Sequence, residues 1–158
     1  MSWRIFWVVS VSFFVAFVFA VFPLPRLLDF IRPEWVAMTV IFWMLALPGR
    51  VGIFTAFAMG LLLDALEGHL LGQSAFALTA LAYLTGLLYQ RLRLYNPLQQ
   101  SAMILVLIGT YQLMHYWAES MILGRGETLL VLPSIASAIF WPVWHGLLSY
   151  VQQQLRLH

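Results

Sequence analysis

The most informative group of residues is one carboxylate with glycines at regular spacing on both sides of it. Gly60, Asp64, Gly68 and Gly72 follow one another at steps of four, so an uninterrupted helix would carry all four on one face. Within hydrocarbon, glycines let another helix approach closely, and a buried carboxylate has a partner. The spacing therefore predicts helix packing or partner binding through Asp64. The alternative is that Gly68 and Gly72 mark a turn, with Asp64 bound to backbone amides of the following helix.

A second group of titratable residues lies further along the chain. Tyr111, His115 and Glu119 are also spaced by four residues, which places them on one helix face. They could form a proton relay, but a histidine and a glutamate one turn apart more often satisfy each other. We interpret them as a structural group. Asp64 and His115 could also meet across helices.

The sequence lacks the signatures of common catalytic sites. It holds no His-Glu-x-x-His metal motif, no serine elbow and no phosphate-binding loop. It holds no cysteine, so it has neither thiolate metal ligands nor disulfides. We therefore predict a non-enzymatic protein without catalytic residues, a cofactor or a metal. The alternative is an intramembrane enzyme, for which no nucleophile and base stand out.

The composition indicates whether these residues are surrounded by water or by lipid. Of the 158 residues, 63% are apolar and only 9% are charged, whereas soluble domains carry about 25% charged residues. The eight cations are all arginine and are spread along the chain, so the sequence has no basic patch for nucleic acid. This composition excludes a water-soluble fold and predicts an all-α, polytopic membrane protein.

The apolar runs predict the number of membrane crossings. A helix needs about 20 apolar residues to cross about 30 Å of hydrocarbon. By that length the chain is one transmembrane domain with six spans: residues 5–22, 33–48, 51–66, 70–90, 97–122 and 128–150. The first run is longer than the core of a secretory signal, so we interpret it as a retained helix. A single re-entrant hairpin over the second and third runs would bury Arg50 at a cost of about 2.5–3.5 kcal/mol, so two short spans are favoured.

Charges and aromatic residues between the spans predict the orientation. With the N-terminus inside, five arginines lie on the cytoplasmic side and three lie outside, in line with the positive-inside rule. Both termini are therefore predicted to be cytoplasmic. Tryptophan rings favour the two membrane interfaces, and their predicted positions are Trp3, Trp7, Trp141 and Trp144 inside and Trp35 and Trp117 outside.

Short motifs in a fixed order run along nearly the whole chain. They are Arg32-Pro33-Glu34-Trp35, Phe42-Trp43 followed by Pro48 and Arg50, the series Gly60, Asp64, Gly68 and Gly72, then Trp117-Ala118-Glu119 and Trp141-Pro142. They are densest between Arg32 and Gly72. In this order and spacing the chain resembles the MreD family of rod-shape-determining proteins of the bacterial inner membrane.

The resemblance implies a non-enzymatic scaffold of the cell-elongation machinery, which builds lateral peptidoglycan. It implies binding to MreC, a bitopic membrane protein, with MreB, RodZ, and RodA with its penicillin-binding transpeptidase nearby. A bulky residue at Gly60 or Gly72 would then weaken co-purification with MreC without unfolding the protein. The residues expected at helix-packing or partner interfaces are Gly60, Asp64, Gly68, Gly72, Arg32, Trp35, His115 and Glu119.

The resemblance also supplies the main alternative function. The MreD fold is thought to be similar to the six-helix substrate-binding subunits of energy-coupling-factor vitamin transporters. In that case Asp64, His115 and Glu119 would face a small-molecule pocket with a few convergent polar groups. A lipid flippase is disfavoured, because six short helices without an internal repeat are few for alternating access.

Overall fold

The computed structural model describes residues 3–22, 34–47, 51–67, 72–123 and 132–156. These residues form seven α-helices and no strand, which confirms the predicted all-α class. The predictions for Arg32, for the break at Pro48-Gly49-Arg50, for Gly68 and for the Glu119 side chain lie outside the described residues. The helices are α1 Trp3–Val21, α2 Trp35–Ala46, α3 Ile53–Glu67, α4 Gln73–Leu87, α5 Tyr89–Leu94, α6 Pro97–Leu123 and α7 Leu132–Arg156.

Contacts between the helices show their relative directions. α1 and α2 run antiparallel, because Trp43 near the end of α2 contacts Ser12 while Trp35 at its start contacts Phe19. α3 and α4 are antiparallel, and so are α4 and α6. α2 and α7 run in the same direction. Such alternation suits a chain that crosses a bilayer repeatedly, while the crossings themselves stay a prediction.

The described helices differ in their ability to span a bilayer. α1 alone among them combines the length and the apolar composition needed to cross a membrane. α2 and the segment Ile53–Leu66 of α3 are apolar but shorter. At 1.5 Å per residue, the 12 residues of α2 extend about 18 Å, less than the roughly 30 Å of a hydrocarbon core. A short helix of this kind needs to be covered at its ends or surrounded by longer ones.

Helix α2 is the centre of the core. Every residue from Val36 to Met44 is buried, and α1, α4 and α7 pack around this helix. A helix that is apolar on all sides is typical of such a surrounded position. Its buried polar residue, Thr39, donates its hydroxyl to the Trp35 carbonyl oxygen at 2.8 Å. The hydroxyl is thereby satisfied within its own helix and remains able to accept a further hydrogen bond.

Indole hydrogen bonds join α2 to its neighbours. Trp43 donates its Nε1–H to Ser12 Oγ of α1 at 2.8 Å. Trp144 of α7 donates its Nε1–H to Thr39 Oγ1 at 3.1 Å. Both indoles are at most 4% exposed, and an unpaired buried N–H costs about 1–3 kcal/mol. These bonds therefore select one arrangement of α1, α2 and α7.

A third indole connects the last three helices. Trp141 of α7 is fully buried and donates its Nε1–H to Gln100 Oε1 of α6 at 3.1 Å. The same Gln100 amide donates from Nε2 to the Leu92 carbonyl oxygen of α5 at 2.7 Å. One side chain thus uses its acceptor and one of its donors to hold two other helices. These hydrogen bonds hold α5, α6 and α7 together at the N-terminal end of α6.

The prediction that Trp35 and Trp144 mark opposite membrane interfaces is wrong. Their ring centroids lie 5.0 Å apart, whereas the two interfaces are separated by about 30 Å of hydrocarbon. Trp141 and Trp144 are buried at 0% and 4% exposure, so protein atoms surround them. Their indole N–H groups bond to polar side chains of neighbouring helices, which replaces the interfacial water that the prediction assumed.

Candidate functional site

The Asp64 carboxylate, near the end of α3, binds the start of α4. The backbone N–H of Gly72 donates to Oδ2 at 3.0 Å, and that of Ser74 donates to Oδ1 at 2.9 Å. The N–H of Ala75 lies at 3.4 Å from Oδ2. The first N–H groups of a helix have no acceptor within the helix, and its N-terminus carries partial positive charge. These amides therefore stabilise the fully buried Asp64 carboxylate.

Gly72 provides the backbone conformation that this contact needs. It precedes the first residue of α4 and has φ +102°, in the left-handed region. Non-glycine residues adopt that region at a cost of about 1–2 kcal/mol, because Cβ approaches the carbonyl oxygen. A Cβ at Gly72 would meet no atom within 4 Å. The glycine is thus required for its backbone angle, not for space.

Gly60, one turn before Asp64, brings the backbones of α3 and α4 into contact. A Cβ added to Gly60 would lie 2.6 Å from the Ala75 backbone nitrogen and 2.8 Å from the Ser74 carbonyl oxygen. Real Cβ atoms do not approach backbone that closely, so even alanine would push the helices apart. Gly60 and Asp64 together clamp α3 onto the first turn of α4. We refer to these two residues with Gly72, Ser74 and Ala75 as the α3–α4 clamp.

The clamp changes one expectation drawn from the sequence. The backbone of α4 fills the space next to Gly60. A bulky residue at position 60 is therefore expected to disturb the fold as well as any partner contact. Asp64 has no exposed surface, so a partner could reach it only if the surrounding chain moved. The geometry corresponds to the alternative in which Asp64 binds amides of the following helix. A partner role for these residues stays a prediction.

Gln73 connects the clamp to α6. Its side chain is 4% exposed, and its Nε2 donates to the His115 carbonyl oxygen at 3.3 Å. The same Nε2 lies 3.4 Å from His115 Nδ1, which accepts this hydrogen bond when the ring proton is on Nε2. The Tyr111 ring centroid lies 6.0 Å from that of His115. These contacts dock α6 against the start of α4, while a proton relay through Tyr111 and His115 stays a prediction.

Ser74 differs from its neighbours in the clamp. Its backbone N–H binds Asp64, but its Oγ, in a fully buried residue, makes no hydrogen bond to the described residues. A buried hydroxyl without a partner costs about 1–3 kcal/mol. The backbone of Ser74, not its side chain, therefore carries the contact.

Trp35 belongs to an aromatic cluster at the start of α2. Its ring centroid lies 5.2 Å from that of Phe19 of α1 and 5.8 Å from that of Phe140 of α7. The preceding backbone N–H, of Glu34, donates to Ser137 Oγ of α7 at 2.9 Å. Trp35 therefore packs three helices of its own chain together. Its predicted partner contact stays a prediction.

Sequence reasoning missed several residues that connect the helices. They are isolated polar side chains within apolar runs, and each is buried against another helix: Ser12, Thr39, Gln73 and Gln100. One signal in the sequence could have identified them: a polar side chain in hydrocarbon is costly unless it has a hydrogen-bonding partner. This signal identifies such residues but does not show which helix supplies the partner.

No group of three histidine, aspartate or glutamate side chains that could hold a metal ion occurs in the described part of the chain. The two cavities between α1 and α3 are lined by other residues than Asp64 and His115. The contacts formed by Asp64, Gln73 and His115 bind helices to one another. This arrangement can hold a rigid helical surface in place.

Comparison with known proteins identifies the family of the chain. The family model described as "rod shape-determining protein MreD" matches residues 1–151. The rod shape-determining protein MreD of Haemophilus influenzae is 29% identical over 154 residues, which are 96% of this chain and 95% of that protein. No solved structure matches, so the likeness to vitamin-transporter subunits stays a prediction. With a family match along nearly its whole length and an all-helical, apolar fold, the chain belongs to the MreD family of rod shape-determining membrane proteins.

Proposed function

We propose that this chain is a non-enzymatic scaffold that binds an MreC-like bitopic protein and helps to position the lateral peptidoglycan synthesis machinery. Family membership supports a role in rod-shape determination. The binding of MreC, and the proximity of MreB, RodZ, and RodA with its transpeptidase, are parts of the proposal. The structural support comes from what the helices leave on their surfaces.

The observation that carries the proposal is that the buried polar side chains form hydrogen bonds between helices of this chain. Ser12, Thr39, Asp64, Gln73 and Gln100 are each at most 8% exposed, and each is hydrogen-bonded to another helix. The large side chains that project outward from the described helices are mostly aliphatic and aromatic. In lipid, such surfaces contact other helices by close packing. Helix surfaces are therefore where this protein is expected to act.

The outer face of α7 is the surface best suited to a partner helix. Ile135, Ile139, Val143 and Leu147 recur every four residues and are 44% to 70% exposed. Beside them Gly146 is exposed, and a Cβ added to it would meet nothing within 4 Å. A glycine flanked by a regular apolar stripe lets a second helix approach closely. We propose that the MreC transmembrane helix packs on this face.

Two open glycines give a matched test of that surface. Gly146→Leu on α7 and Gly86→Leu on α4 both fill open space, and both replace glycine by a better helix former. We expect both variants to fold, and only Gly146→Leu to lower MreC co-purification. A photocrosslinking residue at Val143 should capture MreC, whereas one at Phe54, which is 91% exposed on α3, should not. Unchanged co-purification with folded Gly146→Leu protein would reject this face.

The topology is part of the proposal. We propose an inner-membrane protein with six crossings, formed by α1, α2, α3, α4 with α5, α6 and α7, and with both termini in the cytoplasm. The sequence contains no cysteine, so single introduced cysteines can be labelled without background. Cysteines at Trp3 and at Gln153 should react only with reagents that enter the cytoplasm. Labelling of either one from the periplasm would contradict the orientation.

The small-molecule alternative is the weaker proposal. It needs Asp64, His115 and Glu119 to line a pocket, but the Asp64 carboxylate is buried against α4 amides. Native mass spectrometry of gently extracted protein would decide between the two. A stoichiometric water-soluble ligand would favour the transport subunit, and MreC without such a ligand would favour the scaffold.

A further inference from the structure

One flank of α7 carries polar side chains that make no hydrogen bond to the described residues. They belong to His145 and Ser149, which follow each other by one helical turn and are both half-buried. The buried polar side chains of Ser12, Thr39 and Gln100, by contrast, each bind a neighbouring helix. We call His145 and Ser149 the α7 polar flank.

The polar atoms of the α7 polar flank reach the surface of the protein. Within the described part of the chain, Ser74 Oγ is the one fully covered side-chain oxygen or nitrogen that lacks a hydrogen bond. The imidazole nitrogens of His145 and the hydroxyl oxygen of Ser149 are therefore not fully covered by protein atoms. A group from another molecule can reach them without a movement of the helices.

The depth of these groups in the bilayer makes an unbound state costly. In the proposed topology the last crossing ends near Tyr150, which is 61% exposed. His145 lies about 7.5 Å deeper, at 1.5 Å per residue. Deeper still, Pro142 has no N–H, so the Ala138 carbonyl oxygen lacks the donor that a helix normally supplies. Polar groups in hydrocarbon need a partner, because water does not reach them there.

The His145 ring is held in position by the core. Its centroid lies 5.4 Å from that of Phe42 of α2 and 5.6 Å from that of Trp141. Both of these neighbours are buried, so the imidazole is packed on rings that do not move freely. A neutral imidazole presents one donor and one acceptor nitrogen. Because the ring is already ordered, a partner that binds it loses little affinity to the ordering of side chains.

The α7 polar flank adjoins the face of α7 that is proposed to bind a partner helix. At about 100° per residue, Ser149 lies about 60° around the helix from Gly146, and His145 lies about 100° from it on the same side. Trp141, about 140° from Gly146 on that side, is already in the core. Glycine lets a second helix approach closely, so the edge of a contact at Gly146 falls on the α7 polar flank.

From these observations we infer that the helix that packs on α7 binds the α7 polar flank through a neutral hydroxyl or carboxamide side chain. Such a side chain both donates and accepts a hydrogen bond, as the groups of the flank require. A charged side chain at this depth is far more costly. The side chain is expected in the half of the partner helix nearest the cytoplasm. This inference rests on the proposed MreC contact at α7 and adds the residues that recognise the partner.

The test measures the dissociation constant between this chain and full-length MreC of the same bacterium, by energy transfer between the labelled proteins in lipid nanodiscs. His145→Phe keeps an aromatic ring in the core but removes both nitrogens, and Ser149→Ala removes the hydroxyl. Each should weaken binding about three- to fifteenfold, the range for one hydrogen bond between helices in a membrane. His145→Asn keeps a donor and an acceptor and should bind more tightly than His145→Phe.

The matched control is Thr110→Val on α6. The Thr110 hydroxyl donates to the Val106 carbonyl oxygen of its own helix at 2.9 Å, so its removal should leave the dissociation constant unchanged. Thermal unfolding in detergent checks that every variant is folded. If His145→Phe does not fold, Ser149→Ala and His145→Asn carry the test.

A double-mutant cycle identifies the residue of the partner. Each hydroxyl- or amide-bearing residue of the MreC membrane helix is replaced by alanine, and one replacement should weaken binding to the wild type but not to the variant of His145 or Ser149 that it contacts. Additive effects for every such residue would overturn the inference. Wild-type affinity of the folded flank variants, with weakened binding of Gly146→Leu, would reject the polar contact alone. Wild-type affinity of all of them would reject the α7 face as well.

Discussion

Replacing Asp64 by alanine is expected to release α3 from α4. The substitution removes the acceptor from the Gly72 and Ser74 amides, which bind the carboxylate at 3.0 and 2.9 Å. Hydrogen bonds to a charged group contribute about 1.5–3 kcal/mol each, and a buried N–H left unpaired costs about 1–3 kcal/mol. Other groups take over part of the lost bonding, so we expect a loss of about 2–5 kcal/mol in the free energy of unfolding.

The measurement is thermal unfolding in mild detergent, followed by the fluorescence of the tryptophans. For a chain of this length, 1 kcal/mol corresponds to about 2–4 °C in Tm, so Asp64→Ala should lower Tm by about 5 °C or more. Asp64→Asn keeps one carbonyl oxygen and should lower Tm by less. Its amide group also places donors next to the α4 N–H groups, so it should not restore the wild-type value.

Ser74→Ala is the matched control for this experiment. It lies in the same buried contact, but Asp64 binds the Ser74 backbone N–H and the Oγ makes no hydrogen bond to the described residues. We expect its Tm to equal or exceed that of the wild type. A Tm for Asp64→Ala within about 1 °C of the wild type would refute the account of the clamp. A large loss from Ser74→Ala would show that the side chain contributes as well.

Three further substitutions test the remaining contacts by the same unfolding measurement. Gly60→Ala should lower Tm strongly, because its Cβ would meet the Ala75 backbone, and a wild-type Tm would show that α3 and α4 are not in contact there. Gly72→Asn should be less destabilising than Gly72→Ala, because asparagine tolerates the left-handed region better; the reverse order would contradict the φ of +102°. Trp43→Phe and Ser12→Ala should show a coupling of about 0.6–1.7 kcal/mol in a double-mutant cycle, and additive effects would mean that the bond between them contributes nothing.

The fold class was predictable because it depends on the overall amino-acid composition. A chain with 63% apolar and 9% charged residues cannot keep its surface in water, and within hydrocarbon a helix satisfies its own backbone hydrogen bonds. The all-helical structure agrees with that prediction. The order and spacing of short motifs were enough to predict the family, and the family match over residues 1–151 confirms it.

The candidate site was only partly predictable. The four-residue spacing put Gly60 and Asp64 on one face of α3, but two interpretations of Asp64 remained open. Choosing between them required the position of the α4 N-terminus relative to the carboxylate. That position results from the approach of two backbones at Gly60 and from the backbone angle of Gly72. Neither a distance between helices nor a backbone angle is specified by residue spacing within one helix.

The amino-acid sequence alone determined the helical class, the apolar environment and the family, because each follows from composition or from order along the chain. The tertiary structure decided which polar groups meet. Trp144 illustrates the difference. Its amphipathic ring is suited both to a membrane interface and to a protein interior that offers a hydrogen-bond acceptor. Only the packing of α7 against α2, which places Thr39 Oγ1 at 3.1 Å from its indole nitrogen, selects the interior. A uniformly apolar helix such as α2 offers no periodicity from which that contact could be read.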